Sequence, residues 1–164
     1  MHKRDYGRCV EARQGHLYRL AYCYVKNRQE ALDIVSEAVY RGLVHLHQLR
    51  GPDRFNAWMD RIVVNAALDH LRKNSPLQSW EEDIASVIPM EEKALSIEDE
   101  IDLYAALDLL APEEKTYIIL HYFEEYSFRE MAGILDQPES TIKSRMYRIL
   151  NLLRKHLSAQ EVRK

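Results

Sequence analysis

Residues 127–148 run Ser-Phe-Arg-Glu-Met-Ala-Gly-Ile-Leu-Asp-Gln-Pro-Glu-Ser-Thr-Ile-Lys-Ser-Arg-Met-Tyr-Arg. They spell two short amphipathic helices meeting at Asp136-Gln137-Pro138. Ser127, with Glu130 three residues on, forms a capping box that starts the first helix. Asp136 falls where the turn favours a left-handed residue, a conformation Asp tolerates at some cost. Met131, Ala132, Leu135 and Ile142 occupy the expected core positions. In the second helix Ile142, Met146, Ile149 and Leu153 repeat at 4-3-4 spacing and form a stripe to be buried. Lys143, Ser144, Tyr147, Arg148 and Asn151 form the opposite stripe. This is the layout of a helix-turn-helix, whose second helix enters the major groove of DNA. Arg and Lys donate to guanine O6/N7 or to phosphate, Ser bonds either, and Tyr adds apolar contact. Ser140 and Thr141 stand at the helix start, where amides and hydroxyls hold phosphate. Arg154 and Lys155 extend the grip along the backbone. The plain alternative is a solvated cationic face favoured by the helix dipole. The capped helix and turn in front of it favour DNA.

Length and composition set the frame for this motif. The 164 residues suit one ordinary domain or two small ones, and 46% are apolar, enough for a core. Five Gly and five Pro are few, and no alternating strand pattern is present, so an all-α fold is expected. No run approaches the ~18 apolar residues of a membrane span. The charged start, Met1-His-Lys-Arg-Asp, has no apolar stretch behind it, so no secretory signal is expected and a cytoplasmic location follows. Cys9 and Cys23 lack metal-ligand spacing and read as idle thiols. His45 and His47 point different ways on a helix and cannot share a metal.

The net charge of −3 conceals segregation. Residues 1–75 carry 13 Lys+Arg against 8 Asp+Glu; residues 76–111 carry one Lys against 10 acids. Residues 140–160 hold five cations and no acid. Local charge, rather than the total, attracts phosphate. The pattern divides the chain into a helical domain over 5–75, an acidic tether over 76–98 and a second helical domain over 99–160. In the first, a helix is read in Leu17–Val25, broken at Asn27 or Arg28. A second runs from Gln29 to Leu49, with Ala31, Ile34, Val35, Ala38, Val39, Leu43 and Leu46 at helical spacing. Arg50-Gly51-Pro52-Asp53 is a turn, and Phe55–Lys73 is a third helix, ended by Asn74-Ser75-Pro76. In the second domain Ile101, Tyr104, Ala105, Leu107 and Leu110 form a helix closed by Ala111-Pro112. Glu113–Phe123 forms another, with acids in its first turn.

The third helix places Arg61, Asn65, Asp69 and Arg72 on one face at spacings of 4, 4 and 3. Phe55, Trp58, Met59, Ile62, Val63 and Ala66 lie mostly on another. An amide flanked by guanidiniums can read a base edge while holding its phosphates. A loop such as Arg50–Arg54 could receive a flipped-out base. Periodicity alone leaves this weak: Trp58 is more often core than stacking platform, and the charges also suit a plain surface.

The ordered motifs carry more. Phe55-Asn-Ala-Trp58-Met-Asp-Arg61-Ile62-Val-Val-Asn65-Ala-Ala-Leu-Asp69-His-Leu-Arg72 resembles the F-x-x-W-x-x-R-I-x-x-N-x-x-x-D-x-x-R pattern of extracytoplasmic-function (ECF) sigma factors. Tyr18-Arg-Leu-Ala-Tyr22 and Glu30-Ala-Leu-Asp33-Ile-Val-Ser-Glu37 resemble the start of that family's region two. Leu110-Ala-Pro-Glu-Glu through Thr141-Ile-Lys-Ser-Arg145-Met-Tyr-Arg148 resembles its region four. The likeness spans roughly residues 15–157, with a short tether in place of region three.

The resemblance implies a non-enzymatic protein, without cofactor, metal or small-molecule substrate. It would bind core RNA polymerase, direct it to promoter DNA and help open the duplex. Glu30, Asp33, Ser36 and Glu37 would dock on the clamp helices of the largest polymerase subunit. The family often has Gln where this chain has Ser36, so that contact would be rearranged. Arg54, Trp58, Arg61, Asn65, Asp69, Arg72 and Lys73 would hold the melted minus-10 strand. Thr141, Lys143, Ser144, Tyr147 and Arg148 would read the minus-35 duplex, with Arg145 nearer the helix flank and suited to phosphate or internal pairing. A membrane-bound anti-sigma factor and an envelope-stress role are further implications. The tether is either a solvated linker or a polyanionic strand lying in a channel built for nucleic acid. A rival reading is a stand-alone helix-turn-helix regulator whose first domain dimerises or binds a ligand. A helical adaptor without DNA contact is another.

Overall fold

A computed structural model describes residues 1–74 and 103–161; the acidic tether expected over 76–98 and the apolar Ile101 lie outside the described residues. Seven α-helices are described, α1 Lys3–Val25, α2 Arg28–Val44, α3 Phe55–Asn74, α4 Leu103–Ala106, α5 Pro112–Ile118, α6 Phe128–Leu135 and α7 Glu139–Glu161. No strand occurs among the described residues, as the all-α expectation requires.

The N-terminal helices α1, α2 and α3 close into a bundle. Leu17, Leu20, Tyr24, Ala31, Ile34, Ala38, Met59 and Val63 line its interior, each at most 2% exposed. Burying side chains of this size stabilises by about 1.5–3 kcal/mol each before the entropy of ordering them. The first helix is longer than the stretch legible in the sequence, because Tyr6 far upstream is buried and its hydroxyl donates to the Val39 carbonyl at 2.7 Å. Lys26 ends α1 in the left-handed conformation, and the Asn27 side chain caps α2 by accepting from the Glu30 N–H. At Gly42 a Cβ would lie 2.4 Å from the Tyr6 hydroxyl oxygen, so this glycine permits the close approach of α1 and α2. The expected continuation of α2 to Leu49 is replaced after Val44 by a 3-10 turn, Leu46–Gln48. Leu43, expected in the buried stripe, is 38% exposed, because it falls on the side of α2 away from α1 and α3.

The C-terminal helices form a second core around Leu107, Ile118, Ile119, Leu120, Met131, Ile142 and Met146. The helix expected from Ile101 to Leu110 is one short turn, α4, followed by a 3-10 turn Leu107–Leu109. Within it Ala106, Leu107 and Leu110 are buried while Tyr104 and Ala105 are exposed. The helix expected over Glu113–Phe123 is α5 continued by a π turn, Ile119–Phe123. A π turn widens the ladder by one residue and is common beside functional sites. In α6 the fully buried partner of Met131 is Ile134, one residue before the expected Leu135, which is only partly buried.

The two cores meet. Tyr24 donates to the Thr116 hydroxyl across them at 2.8 Å, and both side chains are buried. Lys26 stands over the Tyr104 ring at 4.3 Å, donates to the Tyr104 carbonyl and pairs with Asp108 at 3.0 Å.

Candidate nucleic-acid and polymerase interfaces

The helix-turn-helix is built as its residues demand. The Ser127 side chain accepts from the Glu130 N–H, and the Glu130 carboxylate accepts from the Ser127 N–H at 2.9 Å. These bonds from Ser127 hold the Glu130 carboxyl below its ordinary range. Asp136 ends α6 at φ 54°, ψ 47°, the left-handed turn residue expected there. Ile142, Met146, Ile149 and Leu153 are all buried. On the other side of α7, Lys143, Ser144 and Arg148 are exposed, and Thr141, Tyr147 and Asn151 are half-buried. Lys143 pairs with Glu139 at 3.3 Å, and Ser144 donates to the Ser140 carbonyl at 3.0 Å. Arg145 donates to the Tyr117 hydroxyl at 2.9 Å, which in turn donates to Gln137 at 2.7 Å. That chain ties α7 to α5 and to the turn.

On α3, Asn65, Arg61, Arg72 and Lys73 are exposed, and Arg54 is exposed on the 3-10 turn Pro52–Arg54 that leads into the helix. Asp69 accepts from Arg41 at 2.6 Å and from Arg72 at 3.4 Å, so its carboxylate orients both guanidiniums. The hydrogen bonds from Arg41 to Asp69 and to Glu37, helped by their charges, raise the Arg41 pKa. Trp58 is half-buried with its ring 6.2 Å from that of Phe55, and it packs against the core. Acids of the C-terminal lobe reach this face: Glu113 lies 3.1 Å from Arg72, and Asp136 lies 3.8 Å from Arg61.

On α2, Asp33, Ser36 and Glu37 are exposed beside Leu32, Tyr40, Leu43 and Val44, whose exposures run from 38 to 65%. Exposed apolar side chains grouped with acids on one helix face suit a protein partner. Ser36 donates to the Leu32 carbonyl at 2.8 Å and Glu37 pairs with Arg41 at 2.7 Å. Glu30 turns away from this face toward α3, where it meets His70 at 3.1 Å.

Beneath these surfaces Asp60 is fully buried. Arg13 donates to it at 2.9 and 3.1 Å, His16 Nε2 lies 3.0 Å from its oxygens, and the Tyr126 hydroxyl donates at 2.5 Å. Burial alone would raise its carboxyl, but the hydrogen bonds from His16 and Tyr126 and the charges of His16 and Arg13 outweigh burial and hold it low. His16 Nδ1 lies 3.1 Å from Glu124. Donor atoms of His16, Asp60 and Glu124 fall within 4.8 Å of one another. The Arg13 guanidinium on Asp60, and the two His16 nitrogens aimed at different carboxylates, make this an ion-pair network rather than a cation site.

Residues 9–76 match the family model for sigma-70 region 2, and residues 100–153 match that for sigma-70 region 4. The chain is 34% identical to the RNA polymerase sigma factor SigV of Bacillus subtilis, over 94% of this chain and 92% of that protein. The chain belongs to the sigma-70 family of RNA polymerase sigma factors. It falls in the ECF branch, being 29% identical to the ECF sigma factor SigW of Bacillus subtilis over 90% of this chain and 86% of that one. The fold agrees with the sigma factor RpoE solved with the anti-sigma factor NepR from Bartonella quintana. The TM-score is 0.66 at 21% identity, covering 94% and 97% of the two chains. It agrees equally with CnrH solved with the cytosolic domain of CnrY, at TM-score 0.66 and 21% identity over 96% and 90%.

This sigma factor is an initiation factor rather than an enzyme: it binds core RNA polymerase and directs it to promoter DNA. Family membership removes the stand-alone regulator and the adaptor, because the first block is region 2 and not a dimerisation or ligand domain. The sequence places its candidate residues on α2, on α3 and the turn before it, and on α7, where most of them are exposed, and gives no such role to Asp60, His16, Glu124 or Tyr126. The one signal available is helical spacing: Asp60 precedes Val63, Val64 and Ala67 by three, four and seven residues, which puts an acid on the apolar side of α3.

Proposed function

We propose that this sigma factor divides its work over three faces, with region 2 over residues 5–75, the tether over 76–98 and region 4 over 99–160. The α2 face, with Asp33 and Glu37 beside Leu32 and Tyr40, docks on the polymerase clamp, and Ser36 and Glu30 flank it. The α3 face takes the melted minus-10 strand: Asn65 offers its amide to a base edge, while Arg54, Arg61, Arg72 and Lys73 hold phosphates. Asp69 sets the Arg72 guanidinium, and Trp58 backs the face. The α7 face reads the minus-35 duplex through Lys143, Ser144, Tyr147 and Arg148, with Thr141 at the helix start and Arg145 bracing the flank.

The observation that carries this reading is the two-sidedness of α7. A stripe from Ile142 to Leu153 is buried, and a polar stripe bearing Lys143 and Arg148 is exposed behind a capped turn. A net charge of −3 leaves DNA binding by the isolated chain weak and salt-sensitive. Polymerase brings both reading faces to one promoter, an effective-concentration gain. The protein works in the cytoplasm and is held by an anti-sigma factor, which is membrane-bound in the envelope-stress manner; the likeness in fold to RpoE with NepR and CnrH with CnrY supports a partner of this kind. No helix among the described residues is long and apolar enough to cross a membrane.

The test is transcription from a promoter library by purified core polymerase. The chain is expected to confer start sites that core alone lacks. Lys143→Ala with Arg148→Ala should abolish those that depend on a minus-35 element while leaving the chain bound to core. Equal initiation with and without the chain would refute the proposal.

A further inference from the structure

The two lobes share one continuous apolar core, and polar groups also cross between them. Arg72–Glu113 and Arg61–Asp136 are exposed pairs that solvent screens, so each contributes little. The His16–Asp60–Tyr126–Glu124 network is different. Asp60 is fully buried, and its carboxylate takes donors from α1 of its own lobe and from Tyr126 of the other. Tyr126 and Glu124 arrive together because the π turn Ile119–Phe123 is followed by Glu125 at φ 57°, with the Tyr126 N–H donating to the Leu120 carbonyl. A left-handed non-glycine residue is uncommon and is held only by its surroundings.

His16 is clasped on both nitrogens, Nε2 by Asp60 at 3.0 Å and Nδ1 by Glu124 at 3.1 Å. A neutral imidazole has one donor and one acceptor nitrogen. Between two carboxylates it would set a lone pair against an oxygen. The contact is satisfied only when the His16–Glu124 pair holds one more proton, either as imidazolium or as a Glu124 carboxyl donating to Nδ1. We infer that the His16–Glu124 contact, with His16 gripped between Asp60 of one lobe and Glu124 of the other, is a proton-operated latch that holds the lobes closed and keeps two cations of the α3 face paired.

The other groups facing the latch set its sign. Arg13 and Arg19 come from α1, Asp53 and Asn56 from the start of the α3 segment, and Glu125 and Glu130 from the C-terminal lobe; they line a cleft of about 520 Å³. Burial raises the Glu124 carboxyl, the nearby Asp60 charge adds to this, and His16, Arg13 and Arg19 offset part of it. Once the lobes part, Glu124 is hydrated and returns to the ordinary carboxylate range, so closing takes up a proton. Closure is therefore fully favoured below that ordinary range and weakens as pH rises through the raised Glu124 value. Asp60 has the opposite sign: its contribution is present above the ordinary carboxylate value and is lost only in acid. The closed form is thus most stable near the ordinary carboxylate range and loosens as pH rises above it through the raised Glu124 value. With the lobes closed, Glu113 and Asp136 engage Arg72 and Arg61, so release would free two cations of the α3 face. That consequence rests on the proposed minus-10 role of α3, while the latch is a property of the protein alone.

The test is small-angle X-ray scattering of the full chain from the ordinary glutamate range, about pH 4.5, to about pH 8, without polymerase or DNA. The wild type should stay near the radius of gyration of a compact chain, about 15 Å, at the acid end and expand by several ångströms at the alkaline end. Glu124→Gln should remain closed throughout, because its amide donates to neutral His16 without a titrating proton. His16→Ala should be expanded at both ends, with helicity followed by circular dichroism. Should His16→Ala lose its helices, the Glu124→Gln comparison still decides. A wild-type radius that does not change with pH overturns the latch, as does a Glu124→Gln profile that titrates like the wild type. Either result leaves polymerase-dependent transcription by the chain as a separate question.

Discussion

Asp60 is the residue on which the chain is least forgiving. Its side chain is fully buried, with Arg13 21% exposed beside it. A buried ion pair adds little against an apolar replacement, but removing one partner strands the other and costs about 3–5 kcal/mol. Asp60→Ala is therefore expected to lose about 3 kcal/mol in urea unfolding, the low end because Arg13 keeps some solvent. The pH dependence follows from the depressed Asp60 carboxyl. Its stabilisation is fully present above the ordinary carboxylate value and is lost as pH falls through the lowered one. Asp60→Asn should flatten the acid limb of the wild-type stability curve; an unchanged limb would mean that other carboxylates carry it. Cys23 is buried, and burial, with Glu124 adding and Lys26 opposing, pushes its thiol up to about 11. It therefore stays protonated and unreactive near neutrality. On the DNA side, Lys143→Ala with Arg148→Ala should lower the dependence of region 4 duplex binding on log salt by about 2 if both touch phosphate. A smaller change with altered base preference would place them on base edges instead.

At the scale of the element, the helices follow their caps and their close contacts. Ser127→Ala removes the α6 cap and should cost about 1 kcal/mol, read as a lower thermal midpoint. Gly42→Ala brings a methyl to 2.4 Å from the Tyr6 hydroxyl, whose ring is buried and whose bond to Val39 fixes it. The change should destabilise by about 1–3 kcal/mol, and pairing it with Tyr6→Phe should recover part of the loss. Additive effects would show that the two residues are not in contact. These elements also show what was legible in the chain. The α6 capping box, the left-handed Asp136 and the stripe from Ile142 to Leu153 were readable because each depends on neighbours within about four residues. The end of α2 and the π turn were not, because tertiary packing rather than local spacing decides where a helix stops or widens. Leu43 and Leu135 were misplaced for a related reason: both lie at the margin of an apolar stripe, and the partner helix chooses which margin it covers.

For the whole molecule, the contacts between lobes matter most. Tyr24–Thr116, Lys26–Tyr104 and His16–Glu124 cross between the lobes as directional bonds beside a shared apolar core. A sigma factor must reach two promoter elements that lie far apart on one polymerase, a need that the inferred latch and the proposed tether would serve together. Deleting part of residues 80–95 is expected to cripple initiation on core polymerase while leaving binding of region 4 to an isolated minus-35 duplex intact. Unimpaired transcription by the shortened chain would show that the acidic segment needs neither its length nor its charge.

Local periodicity and charge by themselves determined that this protein is helical, that α7 has one oily and one cationic side, and that α3 presents Arg61, Asn65 and Arg72 together. Only the tertiary structure decided that His16 and Asp60, 44 residues apart, and Asp60 and Tyr126, 66 apart, share one buried site. The reason is physical. A helical repeat reports which side of a segment avoids water, whereas the environment of a buried charge depends on the distant segments that come to cover it.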